Sequence, residues 1–128
     1  MLFRSETGRA NSWRAKQWFE ADDYESVPST FDWNLTEKQV RFITLSANST
    51  ITFPVGVKRG AIYMLVIKQD GTGSRQLSYS NQASGLGSGT WKWPAGTAPT
   101  LTTTASKIDV LTFISDGVHM IGTSVLNY

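Results

Sequence analysis

The sequence of 128 residues predicts an all-β protein, a single β-sandwich or jelly-roll-like domain with a short N-terminal arm. Three observations predict it. From Thr30 onward, short apolar segments of strand length follow one another, separated by Gly, Asp, Asn and Pro turn residues. After Pro28 no heptad, helical repeat or linker interrupts them. An apolar fraction of 40% with 12% aromatic residues, five of them Trp, is enough to fill one core and too much for a disordered chain.

Taken in order, residues 1–28 form the arm and residues 29–128 the sandwich. In the arm, Arg4, Arg9, Arg14 and Lys16 are followed by the acidic group Glu20, Asp22, Asp23 and Glu25. Asn11 or Ser12 is placed to cap a short helix over "WRAKQWFE", in which Ala15, Trp18 and Phe19 share a face. One or two turns do not hold themselves in water, so this segment needs a surface to lie on. In "TFDWNLT", Phe31, Trp33 and Leu35 alternate with polar residues. "VRFITL" alternates Val40 and Phe42 and then shifts phase to Ile43 and Leu45, and "STITFP" offers Ile51 and Phe53. "AIYMLVIKQ" is apolar at successive positions, the pattern of a central strand covered on both faces. "QDGTGSR" predicts a tight hairpin turn returning into "RQLSYS". "NQASGLGSGT" reads as a long exposed Gly/Ser loop. Asp116-Gly117, between "KIDVLTFIS" and "VHMIGTSVLNY", predicts a type I′ hairpin.

Composition narrows the function. A net charge of +2 gives no global electrostatic support for nucleic-acid binding. Charged residues make up 17%, against about 25% in a typical soluble domain, which suits a β-protein packed against others. There is no Cys, so disulfide frameworks, thiolate zinc sites and cysteine nucleophiles are excluded together. The N-terminus lacks the apolar core of a secretory signal, and the run "AIYMLVI" is too short to span a bilayer. These features predict a protein that stays in the compartment where it is made, with no membrane partner.

Candidate chemistry is sparse. His119 lies just after a predicted turn, and the nearby Asp116 is explained by that turn, so no catalytic residue is assigned and no enzyme is expected. Asp22, Asp23 and Glu25 do not follow a calcium-loop spacing, and "GLGSG" does not open a helix after a strand, so no metal and no cofactor is expected. Trp91 and Trp93 are two apart and share a strand face. With Tyr79, and Trp33 as a further aromatic, they are candidates for contact with a glycan or another subunit. Core or inter-subunit packing is the favoured use, since large aromatics in a domain of this size are needed in the core. The arm is the other candidate. Arg4, Arg9, Trp13, Arg14, Lys16, Trp18 and Phe19 are the residue types that anchor protein interfaces, and the acids that follow would repel phosphates.

The stretches "LSANSTITFP", "GAIYMLVIKQDGTGSRQLSYS" and "WKWPAGTAPTLTTTASKIDVLTFISDGVHMIGTSVLNY" together resemble a β-module that recurs in virion proteins of tailed bacteriophages. The likeness covers residues 40 to 128 and lies in order, spacing and turn residues. It implies a non-enzymatic virion component, in which Trp93, Pro94, Gly96, Pro99 and Thr100 to Thr104 form a structural signature and the module trimerises. The loop "NQASGLGSG" is longer here than the resemblance leads one to expect. A module with an arm and without a shaft suits a capsid decoration (cement) protein. In that role the arm docks on the major capsid protein or another virion protein, on particles assembled in the bacterial host cytoplasm. The alternative is a tail-fibre or other appendage module that binds a host surface glycan.

Overall fold

The computed structural model describes residues 21–83 and 89–128. The arm residues Arg4, Arg9, Trp13, Arg14, Lys16, Trp18 and Phe19, with the expected short helix, lie outside the described residues, as do residues 84–88 of the expected Gly/Ser loop, whose residues 81–83 and 90 belong to strands. Among the described residues, nine strands form two sheets that face each other across one core. They are β1 (Glu25–Val27), β2 (Thr30–Phe31), β3 (Val40–Leu45), β4 (Ser49–Phe53), β5 (Ile62–Gln69), β6 (Leu77–Ala83), β7 (Thr90–Lys92), β8 (Ile108–Ser115) and β9 (His119–Val125). The six-stranded sheet runs β1-β3-β5-β8-β9-β7 and the three-stranded sheet β2-β4-β6. The all-β sandwich is therefore the architecture the chain adopts.

From β1 to β6 the chain alternates between the sheets at every strand. Each new strand is laid parallel to the one two before it, giving β1∥β3∥β5 and β2∥β4∥β6. Only then do β8 and β9 add antiparallel to β5, with β7 parallel to β9 on the far edge. A jelly roll would need antiparallel pairing in both sheets. The winding also gives the sandwich a strand from inside the expected arm. β1 precedes Pro28, pairs with β3 and buries Val27 at 4% exposure. The entering acids fasten this edge: Asp22 pairs with Lys38, and Glu25 meets Lys38 and Arg41 at 3.3 and 3.2 Å.

"QDGTGSR" is not a hairpin. It is a crossover corner that carries the chain from β5 in one sheet to β6 in the other. The buried Gln69 side chain holds it by pairing with both backbone groups of Arg75, its Nε2 donating at 2.8 Å and its Oε1 accepting at 2.9 Å. Asp70 Oδ1 accepts from the Thr72 and Gly73 N–H groups, and its carboxylate pairs with Arg75 at 3.0 Å. The Arg75 hydrogen bond, more than the backbone donors, holds the Asp70 carboxyl below the usual aspartate range.

The β8–β9 hairpin does form, but not through a type I′ turn. That turn needs positive φ at both central residues, and here Gly117, at φ 98, is the left-handed residue while Asp116 is not. Asp116 serves as a side-chain cap, Oδ1 accepting from the Val118 and His119 N–H groups at 2.9 and 2.7 Å.

The core follows the alternation in the sequence. Trp33, Ile43, Leu45, Ile51, Leu65, Leu111, Phe113 and Met120 are all fully buried, each contributing roughly 1.5–3 kcal/mol or more on burial. Trp33 packs edge-on against Tyr63 and Phe113 at 6.3 and 6.2 Å and donates Nε1–H to the Lys38 carbonyl at 2.7 Å. It is a core residue, with no face left for a ligand.

Candidate functional site

Two regions stand out from the scaffold. The first is the aromatic cluster at the margin where β6 and β7, the edge strands of the two sheets, approach each other. It brings together Tyr79, Trp91 and Trp93, three of the four aromatics singled out in the sequence, the fourth being the core residue Trp33. Tyr79 on β6 lies 5.5 Å from Trp91 on β7 and 4.8 Å from Trp93, which follows β7. Phe53 and Phe113 complete the cluster, at 5.6 and 5.3 Å from Trp91. All these contacts are edge-to-face, the geometry of packed rings. Gly122 of β9 makes the approach possible, because a Cβ there would stand 2.7 Å from both Phe113 and Trp93.

The three rings are not equivalent. Trp91 is 6% exposed and its Nε1–H is bound to the Ser80 carbonyl at 2.7 Å. Tyr79 has its hydroxyl fully buried without a hydrogen-bond partner. Burial, with a smaller contribution from the negative charge of Asp109, pushes that hydroxyl's pKa well above the ordinary tyrosine value. Trp93 is only half-buried, and it borders an open groove of about 400 Å³ shared with Ser78, Asn81, Gly96 and Ala98. Gly96 closes the 3-10 turn Pro94–Gly96, in which Ala95 has φ 53 and Gly96 φ 75. Of the three aromatics that line this groove, Trp91 is buried, while Tyr79 and Trp93 are each half-buried.

The acids near this end have structural partners. Asp109 is 2% exposed and accepts from the Thr102 N–H and hydroxyl, both at 2.7 Å, and from the Asn127 N–H at 2.9 Å. It ties the Thr-rich loop to the C-terminal residues. Asp116 Oδ2 lies 2.7 Å from His119 Nδ1, and that bond holds the Asp116 carboxyl far below the usual range. Among the described residues no group of three or more His, Asp or Glu is placed to hold a metal ion. No helix among them is long and apolar enough to cross a membrane.

The second region was not singled out in the sequence. It is the outer face of the six-stranded sheet, whose register aligns apolar residues in rows. Ile62, Ile114 and Ile121 lie side by side on β5, β8 and β9. Val40, Met64, Thr112 and Thr123 form the next row, then Phe42, Val66, Val110 and Val125. Ile62, Ile114, Ile121 and Val125 are 52%, 48%, 42% and 56% exposed. The apolar run in β5 is therefore covered on both faces only in part. One face lies in the core, while along the other Val66 is buried, Met64 half-buried and Ile62 exposed. Among the described residues, Tyr24 covers part of this face, packed on Phe42 at 5.3 Å with Lys68 over its ring. The signal in the sequence was the period-2 set of Ile and Val on both faces of β5, β8 and β9.

Compared with protein-family models, curated proteins and solved structures, the chain matches none of them.

Proposed function

We infer that the chain is a non-enzymatic structural protein of a tailed-phage virion, best described as a trimeric capsid decoration protein on the particle surface. In this reading the arm, through Arg4, Arg9, Trp13, Arg14, Lys16, Trp18 and Phe19, docks on the major capsid protein of particles assembled in the host cytoplasm. The observation that carries it is the open apolar outer face of the large sheet. Contiguous exposed apolar patches rimmed by polar residues mark sites of contact with protein, membrane or ligand, and a virion subunit has protein neighbours to meet it. The corner between "QDGTGSR" and "APTLTTTA" adds support, since two stretches that carry the resemblance pack directly on each other, Ser74 N–H to Thr103 carbonyl at 2.7 Å.

Co-sedimentation with shells of the major capsid protein tests this reading. The full chain pellets with the shells, while residues 21–128, still folded by circular dichroism, stay in the supernatant. Equal pelleting of both removes the arm from the account, and absence of the chain from purified particles removes the virion role.

The groove beside Trp93 favours a second reading, an appendage module that binds a host surface glycan against the half-buried Trp93 indole, with Ser78 and Asn81 in the same groove. On a glycan array the full chain would then give a signal that Trp93→Ala abolishes.

A further inference from the structure

We propose that the outer face of the six-stranded sheet is where copies of this chain meet, with the Ile62–Ile114–Ile121 row at the centre of the contact. This deepens the reading of the chain as an assembly subunit and rests on it. The argument begins with charge. Across four strands and three rows, from Val40 to Val125, no residue of these rows is titratable. Among the described residues the titratable groups stand at the margins: Lys92 beside Ile121, His119 two residues before it on β9, and Lys68 beside Ile108. A surface without charge offers nothing to steer or select a charged partner. It is, however, complementary to itself, and contacts between identical subunits are richer in apolar area than transient contacts between different proteins.

Size points the same way. The half-exposed Ile62, Ile114, Ile121 and Val125 side chains, with Met64, Thr112 and Thr123 between them, make one contiguous patch, the apolar centre that an interface of roughly 800 Å² per partner is built around. Its shape is that of a sheet face, and such faces pack on one another about 10 Å apart with interleaved side chains. Among the described residues, Tyr24 covers the Phe42 end, on the β3 side, Val66 is buried, and Ile62, Ile114, Ile121 and Val125 remain exposed.

The test is the mass in solution of the full chain, by sedimentation equilibrium across a hundredfold range of concentration. The chain weighs 14.1 kDa, and the expected result is a homo-oligomer. Ile114→Lys with Ile121→Lys should weaken association at least a hundredfold, with an unchanged circular dichroism spectrum. If that double variant does not fold, Ile62→Thr alone should weaken association about tenfold. A monomeric wild-type chain overturns the proposal, as does a folded variant that keeps the wild-type mass. A chain that is monomeric whole but associates as residues 21–128 also overturns it, because the face is then covered by the chain's own first residues. An oligomer absent from purified particles would leave this contact standing and refute the virion role alone.

Discussion

Gly73 lies so close to Thr103 that a Cβ on the glycine would stand 2.5 Å from the Thr103 carbonyl oxygen, and 2.8 Å from the Ala105 nitrogen. The next residue, Ser74, donates its N–H to the same oxygen at 2.7 Å. Through this contact the β5–β6 crossover corner and the Thr-rich loop before β8 are one structure. Gly73→Ala adds a clash with backbone to an unfavourable φ of 76. It should destabilise the chain by about 2–4 kcal/mol, read from denaturant unfolding. A loss under about 1 kcal/mol would mean that the two loops separate without consequence.

Tyr79 is the reverse case, a position where removing an atom should help. Its buried hydroxyl has no partner, so Tyr79→Phe relieves an unsatisfied polar group while keeping the ring contacts with Trp91 and Trp93. The variant should be as stable as the wild type or more stable by up to about 1 kcal/mol. A clear destabilisation would show that the hydroxyl is hydrogen-bonded in solution.

The same residue sets an alkaline limit. Burial raises the Tyr79 pKa above its unfolded value, so the folded state favours the neutral phenol. That contribution is complete below the unfolded value near 10 and is lost as pH rises through and beyond it. In an absorbance titration of the phenolates, one tyrosine should ionise only as the chain unfolds, and in Tyr79→Phe that step should be missing. Four tyrosines titrating together in the folded protein would contradict this.

Asp116 acts at the other end of the scale. Its folded pKa is depressed, first by the His119 side chain and then by the His119 and Val118 N–H groups. Its contribution is present above the unfolded carboxylate value near 4 and is lost as pH falls through the folded value. Asp116→Asn should melt below the wild type at neutral pH, and the two should converge in strong acid. A constant difference across the acid range would show that the turn does not depend on the carboxylate's charge.

Much of the fold was legible in the sequence, because period-2 alternation reports which side chains face a core whatever the strand order. Ile51 with Phe53, Leu111 with Phe113, and Trp33 beside Leu35 all point inward as their spacing predicts. The strand order was not legible. Asp, Gly and Ser residues suit a hairpin and a crossover corner equally well, and what decides for "QDGTGSR" is the clasp between Gln69 and Arg75 with the distant contact at Thr103. Trp91 and Trp93 do share a side, but only the structure shows that Trp91 is enclosed and Trp93 half-open. The outer face escaped notice for a related reason. A run such as "AIYMLVI" shows that both faces of a strand are apolar, and it cannot show whether the second cover comes from the same chain.

Cryo-electron microscopy of intact particles that carry this chain tests the central claim most directly. The account predicts many copies on the head surface, clustered in threes, with Ile62, Ile114 and Ile121 of neighbouring copies in contact and residues 1–20 against the shell. Particles without the chain, or copies whose outer sheet face is open to solvent, would contradict it.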